Sequence, residues 1–203
     1  MRRFVNPGNT AFEVAVNSQI YVDKTGLLAY TNSVINTKQA LICSSRPRRF
    51  GKSITADMLC AYYSRGCDSD SIFASYEIAK SDSYKKYLNQ YDVIYLDIQW
   101  CMMDAGSAEQ TVSYLNYHVI EELKEIYPQI LLDGIRTAYG AMSCINAQTG
   151  VKFIVIIDEW DVLIRDEAAN EAVLQDYINF LRGMFKGSEP TKFIALAYLT
   201  GIL

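Results

Sequence analysis

The sequence predicts an α/β fold in which a parallel β-sheet is flanked by helices. Short apolar runs alternate with longer amphipathic stretches along the 203 residues, as expected when strands and helices alternate. No internal repeat or low-complexity linker interrupts this pattern. Half of the residues are hydrophobic, so a sizeable core can form. The length fits one domain, or one domain with a small appendage.

Four short apolar segments have the composition of buried strands. They are Gln39–Ser44, Asp92–Ile98, Val151–Ile157 and Lys192–Leu199. The third segment (VKFIVII) is the strongest, because its β-branched and almost wholly apolar residues predict burial on both faces. The fourth segment also lacks a polar face, so we expect it to be an inner strand of the sheet.

Amphipathic segments separate and follow these predicted strands. Apolar residues recur at helical spacing between Ser107 and Tyr127, and Pro128 ends this segment. The other predicted helices are Lys52–Ser64, Leu131–Ala147 and Glu167–Phe185.

The pattern near the N terminus is weaker. Phe12–Val16 and Gln19–Val22 are predicted as short extended pieces. Asp23 is interpreted as the cap of a short helix that follows it. We expect residues 1–36 to form an N-terminal segment that packs on a core of residues 37–203.

The composition argues against several classes of protein. The formal net charge of −4 gives no general attraction to nucleic acid or anionic lipid. The five cysteines contain no Cys-x-x-Cys pair and His118 is the single histidine, so neither a disulfide framework nor a zinc site is predicted. The longest apolar run, Phe193–Leu199, is far shorter than the roughly 18 residues of a spanning helix. We therefore expect a cytoplasmic protein with reduced thiols and no membrane segment.

A phosphate-binding loop is predicted at Ser45–Ser53 (SRPRRFGKS), which follows a strand and begins a helix. Backbone N–H groups at a helix N-terminus point towards an anion, and the helix dipole favours negative charge there. Gly51 would let the backbone approach the phosphates, and Lys52 would reach the β- and γ-phosphates. Ser53 would place its hydroxyl on Mg²⁺.

The loop departs from the common pattern G-x-x-x-x-G-K-[ST] at its first position, which is Arg46. Pro47 follows and biases Arg46 towards an extended conformation. The interpretation of Arg48 and Arg49 stays open: they contact phosphate oxygens, they form a solvated basic surface, or they pair with nearby carboxylates. The predicted nucleotide contacts are Arg46, Pro47, Arg48, Arg49, Phe50, Gly51, Lys52, Ser53 and Ile54.

A pair of acids ends the strongest strand, in the segment Ile154–Glu159 (IVIIDE). In an open parallel sheet this end of a strand faces the ligand crevice. A cation nearby would explain two acids here, because an uncompensated buried charge is costly. Asp158 would hold Mg²⁺ and Glu159 would orient and activate the attacking water. The alternative is a solvated pair at a strand end.

The spacing of the two motifs suggests a subclass of P-loop nucleoside triphosphatase. Lys52 and Asp158 lie 106 positions apart, which leaves room for the extra strand at Asp92–Ile98. An added strand and a glutamate beside the magnesium aspartate are typical of the additional-strand class. Thr200, at the tip of the last strand, fits the sensor position of that class, although a threonine there also serves as a strand terminator. The catalytic candidates are thus Lys52, Glu159 and Thr200, and the metal ligands Ser53 and Asp158.

These motifs together resemble the bacterial predicted AAA-ATPase family, in the family's order and over most of the chain. The segments that carry the resemblance are Tyr21–Thr25 (YVDKT), Ser45–Ser53, Val93–Ile98 (VIYLDI), Ile154–Asp161 (IVIIDEWD) and Leu199–Leu203 (LTGIL). Arg46 departs from the wider superfamily but not from this family. The resemblance leaves two roles open: Tyr21–Thr25 lies where related ATPases wrap the adenine, and Asp161 could support the site or act in it.

The resemblance implies ATP and Mg²⁺ as cofactors, and often a C-terminal effector domain that resembles PD-(D/E)XK nucleases. It also implies that a fifth strand and a lid follow Leu203, so we expect the sheet to lack its last strand. The edge at Gln39–Ser44 would then favour self-association.

Two functions follow from this resemblance and from the motifs. The first is Mg²⁺-dependent ATP binding and hydrolysis, used as a molecular switch that controls an attached effector. The alternative is a nucleotide-binding interaction module with little hydrolysis, since a missing arginine finger can cost about 10³–10⁵ in rate. A nucleic-acid-binding protein is a third interpretation, which the acidic net charge disfavours.

Overall fold

A computed structural model of the chain describes residues 2–167 and 169–202. Met1, Ala168 and Leu203, the residue that ends the predicted LTGIL motif, lie outside the described residues. The described part contains a four-stranded, wholly parallel sheet in the order β1-β4-β3-β2. Its strands are β1 (Leu41–Ser45), β2 (Asp92–Asp97), β3 (Phe153–Asp158) and β4 (Ile194–Gly201). The predicted α/β fold with a parallel sheet flanked by helices is confirmed.

Helices precede, connect and flank the strands. Those of the described residues are α1 (Thr10–Val16), α2 (Gly26–Val34), α3 (Lys52–Tyr63), α4 (Asp70–Phe73), α5 (Tyr84–Tyr87), α6 (Ile98–Ala105), α7 (Ala108–Ile126), α8 (Ala138–Thr149), α9 (Val162–Arg165), α10 (Glu171–Phe185) and α11 (Pro190–Phe193), with a 3-10 helix at Glu77–Lys80.

The sheet separates two hydrophobic clusters, because successive side chains of a strand point to opposite faces. Along β3, Val155 and Ile157 pack into the cluster that includes residues of α7, α8 and α10. Ile154 and Ile156 pack into the other cluster, which includes residues of α2 and α3. All six residues of β3 are buried, as its sequence predicts.

The strand order confirms the inner position predicted for the last strand. β4 lies between β1 and β3, although it begins at Ile194 because α11 occupies the residues before it. β2 lies between the two motifs in sequence, but in the sheet it lies beside β3 at the end opposite β1. The strand that lies between β1 and β3 in space is β4. β2 ends at Asp97, whose carboxylate accepts a hydrogen bond from Trp100 N (2.9 Å) and caps α6, a helix that the sequence did not indicate.

Two predicted helices begin later than expected. The helix predicted at Leu131–Ala147 begins only at Ala138, because Gly134 has a left-handed φ of 80° and Thr137 caps the helix through Gly140 N. The helix predicted from Glu167 begins at Glu171, where Asn170 accepts a hydrogen bond from Val173 N. In contrast, the long helix predicted from Ser107 is present as α7, which Ser107 precedes as the N-cap residue.

The predictions for the N-terminal part were wrong in three places. Phe12–Val16 belongs to helix α1, because Phe12 is buried and stacks on Phe73, which a helical turn allows. Gln19–Val22 forms no strand. Asp23 does not occupy the N-cap position of α2, which belongs to Thr25; it accepts a hydrogen bond from Thr25 N (2.8 Å) instead.

Candidate functional site

The loop between β1 and α3 turns sharply at the carboxyl end of the sheet. Gly51 has a φ of 73° and immediately precedes the first residue of α3, and Arg49 also has a positive φ of 69°. Arg46 N donates a hydrogen bond to the carbonyl of Gly201 (3.1 Å), which ties the start of the loop to the end of β4. The predicted context of strand, loop and helix is therefore present.

Lys52 is buried, whereas the loop residues before Gly51 are exposed. Its Nζ donates a hydrogen bond to the carbonyl of Pro47 (3.3 Å). The same atom lies 3.8 Å from Oε1 of Glu159. The lysine of the predicted phosphate loop therefore forms an ion pair with the second acid of the IVIIDE segment.

Asp158 ends β3 and is almost wholly buried, with 1% of its surface exposed. Its Oδ1 accepts hydrogen bonds from Thr200 Oγ1 (3.0 Å) and Glu159 N (3.0 Å). Among the described residues, both hydrogen bonds to this carboxylate go to Oδ1, which leaves Oδ2 available to another ligand. Thr200, which the sequence placed at a strand tip, therefore contacts the predicted metal ligand directly.

Glu159 has a left-handed backbone, with a φ of 53°, which is uncommon for a residue that carries a side chain. Its Oε2 lies 3.1 Å from Nη2 of Arg165, and Oε1 faces Lys52. Glu159 is therefore held between two cations. The sequence analysis did not identify Arg165. Its spacing of four residues from Asp161 could have predicted an ion pair between them on a helical turn.

Asp161 is fully buried and links three segments of the site. Its Oδ2 accepts hydrogen bonds from Arg165 Nε (2.8 Å) and from Ile202 N (2.9 Å). A Cβ on Gly201 would lie 2.7 Å from Asp161 Oδ1 and 2.7 Å from the Trp160 indole nitrogen. These short distances explain why glycine follows Thr200. The hydrogen bonds of Asp161 fix the positions of Arg165 and of the chain at the end of β4.

The comparison with protein families agrees with this geometry. The sequence matches the family described as predicted AAA-ATPase over residues 8–203. The chain belongs to the predicted AAA-ATPase family. None of the curated proteins or solved structures compared with it matches. The family description points to nucleotide binding and hydrolysis, which usually needs Mg²⁺. Within the described residues, no helix combines the length and apolar character needed to cross a membrane.

The other predicted contacts of this AAA-ATPase family member lie around the same loop. Ser53 and Ile54 lie in the first turn of α3 and are exposed, as is Phe50. Arg48 and Arg49 are exposed, and no carboxylate of the described residues pairs with either guanidinium. Carboxylate pairing of these arginines therefore finds no partner in the described part of the chain, whereas their exposure fits both a solvated basic surface and contact with phosphate.

Two further acids that sequence reasoning missed approach Asp158. Asp97, at the end of β2, is paired in register with Asp158. Asp57 lies on α3, and burial together with the charges of Asp158 and Asp97 raises its pKa to about 6. Burial likewise raises the pKa of Asp97, and the charge of Asp158 adds to this effect. Asp57, Asp97 and Asp158 therefore lie close enough for their negative charges to repel one another.

Two clefts open on either side of the loop. One, of about 380 Å³, is lined by polar groups that include Lys52, Arg46 and Thr200. The other, of about 340 Å³, is more apolar and is lined by residues such as Val22 and Ile54. A larger cavity of about 630 Å³ lies at the opposite end of the sheet, at the amino ends of β1 and β4, away from the residues described above.

Proposed function

We propose that this chain binds Mg-ATP at the loop Arg46–Ser53 and hydrolyses it. One observation carries the proposal: Lys52 Nζ lies 3.8 Å from Glu159, beside the buried Asp158. A lysine and two acids from distant segments have little reason to converge at the carboxyl end of a parallel sheet unless a ligand binds there.

The loop supplies the groups that a triphosphate needs. The backbone N–H groups at the start of α3 would hold the α- and β-phosphates, and Lys52 would reach the β- and γ-phosphates. The exposed arginines Arg48 and Arg49 have no carboxylate partner among the described residues and are free to contact phosphate oxygens. The apolar cleft beside Val22 and Ile54 suits the base.

The acidic residues fit a magnesium ion that is bound jointly by protein and phosphate. Within residues 2–167 and 169–202, no group of three or more His, Cys, Asp or Glu side chains is arranged to hold a metal alone. Mg²⁺ commonly uses one or two protein ligands, several waters and substrate phosphates, so Ser53 and Asp158 Oδ2 suffice. When bound, the ion neutralises charge on the phosphates. The repulsion among Asp57, Asp97 and Asp158 favours a cation at this point.

Glu159 would orient the attacking water and accept its proton, since it lies beside the lysine that reaches the γ-phosphate. Thr200 would couple a change at Asp158 to a movement of β4, because it belongs to that strand and its hydroxyl donates a hydrogen bond to Asp158. The insertion of β4 between the loop strand and the acid strand supports the additional-strand class of P-loop ATPases. Closure around ATP would then act as a switch on an attached effector domain.

A second function, nucleotide binding with little hydrolysis, is favoured by one specific contact. Both oxygens of Glu159 face cations, Lys52 and Arg165. A glutamate kept in this arrangement after ATP binds would activate water poorly. Phosphate release by the purified protein separates the two functions.

Thermal unfolding with Mg-ATP, Mg-GTP and Mg-ADP tests binding. At a ligand concentration of 100 Kd, binding stabilises the fold by about 2.7 kcal/mol. For a chain of this size that corresponds to a rise in Tm of roughly 5–11 °C. Lys52→Ala should abolish the rise, whereas Lys152→Ala, at the amino end of β3, should keep it. A wild-type Tm that does not change at millimolar Mg-ATP would overturn the proposal.

A further inference from the structure

The segment Tyr21–Thr25 is fixed on both sides of Lys24. Asp23 accepts hydrogen bonds from Thr25 N (2.8 Å) and from Glu77 N (2.9 Å). Thr25 is fully buried, and its hydroxyl accepts a hydrogen bond from Ile78 N (3.1 Å). The two neighbours of Lys24 are thus anchored to the 3-10 helix, so the backbone that carries Lys24 has a defined position.

From this position Lys24 reaches the phosphate loop. Its Nζ donates a hydrogen bond to the carbonyl of Phe50 (3.0 Å). It also lies 2.7 Å from the point that a Cβ on Gly51 would occupy. A side chain at Gly51 would therefore displace the ammonium group of Lys24, although the left-handed φ is the stronger reason for glycine at this position. Lys24 lines both the polar and the apolar cleft beside the loop.

The charge of Lys24 is not neutralised by the protein around it. No carboxylate of the described residues forms an ion pair with Lys24, and its hydrogen-bond acceptor is a neutral carbonyl. An ammonium group has three donors, so two remain after the bond to Phe50. A positive group held over an anion-binding loop without a counter-charge is suited to a phosphate oxygen.

We propose that Lys24 is a second phosphate-binding lysine, which contacts the α- or β-phosphate of the nucleotide from the N-terminal segment. This inference rests on the proposed nucleotide site. The position beside Phe50 and Gly51 distinguishes Lys24 from Lys52, because this part of the loop cradles the α- and β-phosphates. A phosphate oxygen would give one of the remaining N–H donors a charged acceptor, and a hydrogen bond between two charged groups is stronger than one to a neutral carbonyl.

Calorimetric titrations of wild-type protein, Lys24→Met and Lys24→Arg with Mg-ADP, Mg-ATP, inorganic pyrophosphate and adenosine test this role. We expect Lys24→Met to weaken ADP, ATP and pyrophosphate by a similar factor of about 10–100, as for the loss of a hydrogen bond to a charged group. Adenosine binding should be unchanged, and Lys24→Arg should retain most of the affinity. The Tm without ligand should match that of the wild type.

Lys152→Met is a matched control, because its Nζ also donates to a backbone carbonyl, that of Thr191 (2.8 Å), far from the loop. It should bind every ligand as the wild type does. Wild-type affinity of Lys24→Met for ADP and pyrophosphate would overturn the inference while leaving the nucleotide site intact. Equal loss of adenosine and ADP binding would also overturn it, because Lys24 would then only shape the loop. A wild-type protein that binds no nucleotide would refute the proposed function itself.

Discussion

Arg165 and Glu159 form an ion pair in which Nη2 lies 3.1 Å from Oε2, and both side chains are one-quarter exposed. The same guanidinium donates to the buried Asp161 (2.8 Å). Arg165 therefore joins the acid that we assign to water activation to the acid that fixes the end of β4. This relationship makes Arg165 a positioning residue of the proposed site.

Replacing Arg165 should lower the stability of the protein even in the absence of nucleotide. Arg165→Ala removes a charged donor from the buried Asp161, so we expect the free energy of unfolding to fall by about 1–3 kcal/mol. Arg165→Lys keeps the charge but loses the forked geometry, and should recover part of the loss. Urea denaturation measures both. Lys124→Ala, which breaks an exposed pair with Glu121, is the control and should leave the midpoint unchanged. An unchanged midpoint for Arg165→Ala would show that the pair contributes nothing to stability.

Glu159→Gln should separate binding from hydrolysis. Glutamine has nearly the same shape but cannot accept the proton of the attacking water, so turnover should fall by about 10²–10⁴. Affinity for Mg-ATP should stay close to that of the wild type, which calorimetry can measure beside a phosphate-release assay. If the variant hydrolyses ATP at the wild-type rate, the role assigned to Glu159 is wrong. If the wild type also fails to turn over, the alternative function of binding with little hydrolysis is favoured.

Asp57 should make stability depend on pH. Its pKa in the folded protein is raised from 3.8 to about 6 by burial and by the charges of Asp158 and Asp97. A raised carboxyl pKa means that ionisation disfavours the folded state, so this cost grows as the pH rises from the unfolded to the folded pKa and persists above it. Asp57→Asn should therefore be more stable than the wild type at pH 7.5, by about 1–3 kcal/mol. At pH 4 the difference should largely disappear.

Urea denaturation at both pH values, without divalent cation, checks this prediction. Added Mg-ATP should reduce the advantage of Asp57→Asn at pH 7.5, because a cation near Asp158 offsets the repulsion between the carboxylates. Asp133→Asn, in an exposed turn, is the control and should show no pH-dependent gain. A destabilised Asp57→Asn at pH 7.5 would mean that the carboxylate forms a favourable interaction that outweighs its burial.

Local patterns predicted much of this protein because some features depend on adjacent residues alone. The apolar runs predicted the four strands of the described residues, and Gly51-Lys52-Ser53 and Asp158-Glu159 predicted two segments that the fold brings together. Both motifs depend on adjacent residues: Gly51 permits the turn before α3, and the two acids stand at the end of a strand that is buried on both faces.

Features that depend on tertiary contacts were not predictable in this way. Helix α1 forms where extended chain was expected, because Phe12 is buried against Phe73 from a distant segment. Asp57 and Asp97 look like ordinary polar residues until the sheet brings them to Asp158. Lys24 meets Gly51 only after the N-terminal segment folds over the loop. In each case the partner lies far away in sequence.

The last prediction concerns the free edge of the sheet at β1. The edge at β2 is covered, since Phe4 O accepts from Tyr95 N (2.8 Å) and Asn6 N donates to Val93 O (2.8 Å). No comparable segment of the described residues hydrogen-bonds to the outer side of β1, where Leu41 is 50% exposed. An uncovered, partly apolar edge strand is a template for pairing with another chain.

We therefore expect the 203-residue chain to self-associate in a concentration-dependent manner through β1. Light scattering coupled to size-exclusion chromatography should detect a mass above that of a monomer, which falls on dilution. Leu41→Lys places a charge on the edge and should give a monomer with an unchanged Tm. Leu131→Lys changes another exposed leucine that lies outside β1, at 76% exposure, and should associate like the wild type. A wild-type monomer at every concentration would show that the edge is protected, and association that persists in Leu41→Lys would place the interface on another surface.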